Sequence, residues 1–319
     1  VDKNPAAGQF LLTGSSNILH LPIIPDSLAG RAGYVRLRPL AQGEILGNSP
    51  TFLERAYTRE LSDYTHSLSR NDLIALAFRG GYPAVLALPS EADRATWFEN
   101  YIKTTIERDL RDISHIRRIE VLQNLVTILA AWSSQFVDIS SIARTLEVNR
   151  VTISTYIRAL ELMYLVEKVP HWPKSDYEYA TKQSKFFITD TGLMAALLNW
   201  ELEESVKNSE RVGKLIETFV YTQLAAQIEA ASRRFKLYHY RDQKKREIDF
   251  LIAGPEDSLI GIEVKSGTVL QDADFKHLRW FKANLAKDCP FVGIVVYAGP
   301  RSISLGDGFW AVPITALFE

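Results

Sequence analysis

The sequence predicts a mixed α/β protein built from several units. Its 319 residues exceed the length of one ordinary domain. Segments of helical and of strand period alternate along it, with neither type prevailing. Two stretches also show a definite order of elements. Residues 118–190 read as helices joined by a tight turn and then a β-hairpin, the order of a winged helix-turn-helix. Residues 209–297 read as helix, strand, strand, strand, helix, strand.

Composition narrows the function classes. Hydrophobic residues make up 46% and charged residues 24%, with a net charge of −1, which argues against a globally basic nucleic-acid protein and permits local basic patches. The single cysteine, Cys289, excludes an internal disulfide and points to a reducing, cytoplasmic setting. No apolar run approaches the ~18 residues that a membrane span needs, and no signal peptide is visible. The chain opens Val1-Asp2-Lys3 and reaches the apolar residues 10–13 almost at once, as the C-terminal portion of a longer protein would.

Residues 1–50 hold a short strand at 9–13, the loop Gly14-Ser15-Ser16 and a second apolar stretch at 33–37, the tail of an α/β sheet. Residues 51–117 read as helical, broken at Gly80-Gly81 and Pro83, with an amphipathic helix over 90–112. In the unit 118–190, helices are expected over 119–132, 139–146 and 150–164, with Asp138 or Ser140 as a cap for the second. A strand at 164–169, a polar stretch at 173–184 and a strand at 185–189 follow. The unit 191–319 begins its order with a helix over 209–229. Strands follow at 235–240, 247–252 and 259–264, then a helix over 272–286 and a strand at 291–297.

The third helix of the 118–190 unit is expected to bury Val151, Ile153, Ile157, Leu160 and Tyr164. That leaves Arg150, Thr152, Ser154, Thr155 and Arg158 towards solvent, where arginine and hydroxyl side chains contact phosphates and base edges. Lys174, Lys182 and Lys185 in the hairpin would add backbone contacts, as would the basic turn Lys244-Lys245-Arg246. DNA is thus the expected partner. Use of the winged helix for packing between units is the alternative. Trp132, Trp172 and Trp280 read as core or interface residues.

The strand 247–252 alternates, with Glu247, Asp249 and Leu251 facing one side. In the next strand Glu263 and Lys265 share a face. Asp249 and Glu263 interrupt otherwise apolar strands, and a buried, unpaired carboxylate costs several kcal/mol. A divalent cation, Mg²⁺ or Mn²⁺, is one partner that would satisfy both, and such a cation activates water for phosphodiester cleavage. Lys265 would orient the water or neutralise developing charge. The plainer alternative is an ion pair of Lys265 with Asp249 or Glu263.

These residues resemble the PD-(D/E)xK nuclease superfamily, whose pattern is an acid on the first helix, an Asp on the second strand and E-x-K on the third. Glu217 fills the helix position, Asp249 the strand position, and Glu263 and Lys265 the E-x-K. The resemblance covers about 90 residues and implies a restriction-endonuclease-like α/β fold with Glu217, Asp249 and Glu263 as metal ligands and Lys265 beside them.

The chain also resembles AAA-type P-loop ATPases that carry the C-terminal domain of unknown function 4143. The matching pieces are FLLTGSS, LAGR, LRPLAQGE, GGYP, ERDLRDI, FFITDTGL, GKLIETFV and EIDFLIAG…GIEVKSG, which together span nearly the whole chain. The family's P-loop precedes the first piece. This sequence holds no G-x-x-x-x-G-K-[ST], so ATP hydrolysis is not expected of it alone, and ATP is a cofactor only with the missing part present. The resemblance implies that residues 1–50 are an ATPase remnant, with Ser15, Ser16 and Arg31 near the nucleotide.

The reading is a DNA-associated portion of such an ATPase, with a metal-dependent nuclease-like domain and room for a homo-oligomer. The alternatives are a non-catalytic module that binds DNA or protein, and a regulatory part of an ATPase.

Overall fold

The computed structural model describes residues 8, 10, 11, 13, 14, 33–109, 118–173 and 183–319. It is a mixed α/β fold with two sheets. Among the described residues, five helices come first: α1 (Gln42–Ile45), α2 (Phe52–Thr58), α3 (Arg70–Arg79), α4 (Pro83–Leu86) and α5 (Glu91–Asp109). Next are α6 (Ile119–Ala131), β1 (Gln135–Phe136), α7 (Ile139–Thr145), α8 (Arg150–Leu162), β2 (Val166–Val169) and β3 (Lys185–Ile188). Then α9 (Thr191–Leu197), α10 (Leu202–Lys207) and α11 (Ser209–Ala230) lead into β4 (Lys236–Arg241), β5 (Glu247–Ala253) and β6 (Leu259–Lys265). A 3₁₀ turn (Asp272–Phe275), α12 (Lys276–Asn284), β7 (Phe291–Tyr297), β8 (Ile303–Gly306), β9 (Phe309–Pro313) and a 3₁₀ turn (Ile314–Phe318) close the chain.

Local chemistry sets most of these boundaries. Ser69 and Asp72 form a reciprocal capping box at α3. Asp138 accepts from the Ser140 N–H at 2.9 Å and starts α7, and Asn149 accepts from the Thr152 N–H at 2.8 Å and starts α8. Asn208 caps α11 through the N–H groups of Glu210 and Arg211, both at 3.1 Å.

The smaller sheet has the order β1-β3-β2, all antiparallel. Strand β1 is two residues long, too short for any period to announce it. The larger sheet has the order β4-β5-β6-β7-β9-β8. Strands β4, β5 and β6 pair antiparallel, β6, β7 and β9 pair parallel, and β8 returns antiparallel on β9. Helix α11 packs on one face through Leu215, Phe219 and Val220, against Phe250, Ile262 and Ile294. Helix α12 packs on the other through Leu278 and Phe281, against Leu251 and Val295. The two sheets meet at the β4 edge. There His239 donates its N–H to the Pro170 carbonyl at 2.9 Å, and Trp172 donates to the His239 carbonyl at 2.8 Å. That edge is therefore covered, as a free strand edge needs to be.

Residues 51–117, expected as one helical segment, share two cores among the described residues. Phe52, Leu61, Tyr64, Ile74 and Phe78 join the core under the larger sheet. Val85, Phe98 and Ile106 join the core of α6, α7, α8, β2 and β3. Asp190 ties the two halves together. Its Oδ2 accepts from the Gly81 N–H at 2.6 Å and its Oδ1 from the Leu193 N–H at 2.8 Å, which also caps α9. Burial pushes this carboxyl up from 3.8 to about 6. Gly81 is needed there, because a Cβ would lie 2.1 Å from the Leu40 carbonyl oxygen.

Residues 33–38 carry no regular structure. Arg38 reaches Glu167 at 2.8 Å and Glu229 at 2.7 Å, and Arg36 also pairs with Glu167. Val35 and Leu37 point out, 87% and 91% exposed. The expected strand at 9–13 is only partly within the described residues, and those described (10, 11 and 13) are not in a strand.

Candidate functional site

The acids that the sequence singled out lie on three neighbouring elements. Asp249 is one residue beyond the Phe250–Ile262 pair of β5 and β6, so Asp249 and Glu263 stand at the same level of adjacent antiparallel strands. The Asp249 Oδ2 accepts from the Val264 N–H at 2.9 Å, so the side chain takes a bond that the backbone ladder would otherwise make. Lys265 is two residues on, its Nζ 3.7 Å from Glu263 Oε2 and 4.0 Å from Asp274 Oδ1. Glu217 projects from α11.

What joins Glu217 to Asp249 is a residue expected elsewhere. Lys185, read from the sequence as a hairpin cation for the DNA backbone, is buried, its side chain only 2% exposed. It sits at the head of β3, paired with both Val169 and Phe136. Its Nζ lies 2.6 Å from Glu247 Oε1, 3.0 Å from Glu217 Oε1 and 3.3 Å from Asp249 Oδ1. Burial alone would strip this ammonium of its proton, but the three carboxylates outweigh it and hold the lysine charged, above its ordinary range. Glu247 also faces Arg241, Nε to Oε2 3.7 Å. Lys185 and Glu247 are the residues of the cluster that the sequence pattern alone does not assign to it.

The remaining charges follow from burial. Glu263 is 7% exposed, and its Oε1 has no hydrogen-bond partner among the described residues. Burial, and then the Asp249 carboxylate, push the Glu263 carboxyl well above its ordinary value. Burial pushes Glu217 up from 4.5 to about 7, against the pull of Lys185 and helped by Asp249.

A folded-state value above the unfolded one means that the folded chain binds more protons between pH 4.5 and 7. Stability from Glu217 therefore falls as pH rises through that window and levels off above it. The difference in unfolding free energy between the chain and Glu217→Gln, followed by urea denaturation, should accordingly fall by roughly 2–3 kcal/mol from pH 4.5 to 8. A difference that stays flat would contradict the raised carboxyl.

The arrangement does not fit a divalent cation. The oxygens of Glu217, Glu247 and Asp249 already converge on the Lys185 ammonium, whereas Mg²⁺ would need them at about 2.0–2.1 Å. Among the described residues no group of three or more His, Cys, Asp or Glu side chains is placed to hold a metal ion.

The exposed face of α8 is the second candidate. Arg150, Ser154 and Arg158 are exposed at intervals of four residues and form one stripe, with Arg144 of α7 exposed beside it. None of these arginines makes an ion pair with a described residue. Thr152 is half-buried, and its hydroxyl is committed to Asn149 Oδ1 at 3.0 Å. The helix buries Ile153, Tyr156, Ile157 and Leu160. Val151, expected inside, is 75% exposed, because it lies about 200° from Ile153 around the helix. Tyr164 is half-buried under the Arg36 guanidinium.

In the basic turn, Lys244 and Lys245 are exposed. Arg246 is not available to phosphate as expected. It pairs with Asp242 at 2.6 Å and stacks on the Trp280 ring at 3.3 Å. Lys174, Lys182, Ser15, Ser16 and Arg31 lie outside the described residues. No described helix is long and apolar enough to cross a membrane.

Comparison with known proteins places the acid cluster in a family. Residues 212–317 match the family described as "Domain of unknown function (DUF4143)", so the sheet that carries Asp249 and Glu263 is a DUF4143 domain. Residues 70–204, which include α8 and Lys185, match "Domain of unknown function (DUF8612)".

Among relatives, the chain is similar to "Uncharacterized protein Rv2008c" of Mycobacterium tuberculosis and "Uncharacterized protein Mb2031c" of Mycobacterium bovis. It is 26% identical to each over 313 residues, 98% of this chain and 64% of theirs. An "Uncharacterized protein" of Haemophilus influenzae is 24% identical over 261 residues, 80% of this chain and 58% of its own. The chain thus spans less than two thirds of the length of these relatives. No solved structure matches.

Proposed function

We propose that this chain is the DNA-associated portion of an AAA-type ATPase, in which a winged helix binds duplex DNA beside a PD-(D/E)xK-like domain. The observation that carries the reading is the stripe Arg150, Ser154 and Arg158 on α8, exposed and without ion-pair partners among the described residues. The order α6, β1, α7, α8, β2, β3, with the sheet β1-β3-β2, supports the winged-helix assignment. It would present α8 to the major groove while Lys244 and Lys245 add phosphate contacts. ATP turnover would belong to a longer protein that supplies the P-loop.

DNA binding is expected to weaken steeply with salt, because each neutralised phosphate releases counterions. Arg150→Ala together with Arg158→Ala should lower affinity and reduce the slope of log K against log salt by about 2. Fluorescence anisotropy with a labelled duplex measures both. Binding indifferent to salt and to both substitutions would point to the protein-binding alternative.

A second reading, cleavage of DNA with Mg²⁺ or Mn²⁺, has in its favour the placement of Asp249 and Glu263 side by side. The Lys185 ammonium stands against it. Strand scission by the unaltered chain, lost in Asp249→Asn, would establish it.

A further inference from the structure

The acid cluster is closed by a side chain from outside its own domain. Glu217, Glu247, Asp249 and Glu263 belong to the stretch 212–317, while Lys185 belongs to the stretch 70–204. The ammonium meets oxygens from two elements, α11 and β5, at 2.6, 3.0 and 3.3 Å. The other oxygen of Asp249 is taken by the Val264 N–H. Buried charges are stable only when paired and hydrogen-bonded, and here each side supplies what the other lacks.

Glu263 adds a second observation. It is buried beside Asp249, and its Oε1 has no partner among the described residues, so the cluster holds acceptor capacity that Lys185 does not use. Covering Lys185 are Phe136, whose ring centroid is 5.8 Å from the Nζ, and β4, whose His239 donates its Nε2–H to the Gln183 carbonyl at 2.9 Å. The lysine is thus enclosed by the small sheet and reaches the acids only while the two sheets are joined.

We infer that Lys185 is a tethered cation that takes a divalent metal's place between Glu217, Glu247 and Asp249, locks the small sheet to the DUF4143 sheet, and closes the acids to Mg²⁺ and Mn²⁺. This goes beyond the DNA-binding reading and does not depend on it, since Arg150 and Arg158 take no part. The lock needs no nucleotide and no external ion. It makes access of a metal to the acids and separation of the two sheets one event.

The test is calorimetric titration of the full chain with MnCl₂, beside Lys185→Met and Lys185→Met/Asp249→Asn. Unaltered protein should show no saturable Mn²⁺ binding in the micromolar range. Lys185→Met should gain a site at least about tenfold tighter than anything in the unaltered chain, and the added Asp249→Asn should remove it. If Lys185→Met unfolds in EDTA, refolding on addition of Mn²⁺ supports the inference, and failure to refold overturns it. A folded Lys185→Met that ignores Mn²⁺ overturns it as well, as does saturable Mn²⁺ binding by the unaltered chain that Asp249→Asn abolishes.

Discussion

Lys185→Met is expected to destabilise the chain by roughly 3–5 kcal/mol at pH 8, the usual range for removing one partner of a buried ion pair. The loss arises less from the missing bonds than from Glu217, Glu247 and Asp249, left together with no cation. The cost should shrink at pH 6, because Glu217, already pushed up to about 7, takes a proton there and relieves the repulsion. Urea denaturation at the two pH values, in EDTA, measures both. A loss below about 1 kcal/mol would put Lys185 in the class of surface ion pairs.

Asp190→Ala should cost about 3 kcal/mol or more. Three backbone N–H groups, those of Gly81, Gly192 and Leu193, look to this one buried carboxylate. Leaving a buried donor without an acceptor costs about 1–3 kcal/mol each, partly offset by release of a buried charge. Asp190→Asn keeps one acceptor oxygen and should lose less. Gly81→Ala should be as harmful as Asp190→Ala for a different reason, the approach of its Cβ to the Leu40 carbonyl. Because Asp190 joins residues packed on the larger sheet to those around α8, both substitutions should also lower the cooperativity of unfolding, seen as a reduced denaturant slope. Wild-type stability in Asp190→Ala would contradict this view of the junction.

The sequence disclosed elements better than it disclosed units. Polar caps such as Asp138 and helical periods such as Ile153, Ile157 and Leu160 placed α6, α7 and α8 to within two residues. Alternation placed β5 and β6, and with them Asp249 and Glu263 at one level. The hairpin β8–β9 lies beyond the elements expected from the sequence, although Gly306-Asp307-Gly308, all at positive φ, is the turn signal between its strands. The two cores were illegible, because Phe78 and Val85 are seven residues apart yet pack in different ones, and no local pattern records that.

The largest miss is Lys185. A basic residue at the strand head beside a polar stretch reads as a solvated hairpin cation. The same logic that exposed Asp249, a charge interrupting an otherwise buried strand, applies equally to Lys185-Phe186-Phe187-Ile188, all four of which are buried. Glu247 was visible on the face of Asp249, and only its partner was missing.

Lys185 and the acids of the DUF4143 sheet depend on one another, and a double-mutant cycle on Lys185→Met and Asp249→Asn, with stabilities from urea denaturation at pH 8 in EDTA, measures that dependence. Each single variant should be destabilised, and the double variant should recover, giving a coupling of about 2–3 kcal/mol. Additive losses within about 0.5 kcal/mol, or an Asp249→Asn that is as stable as the unaltered chain, would contradict that dependence.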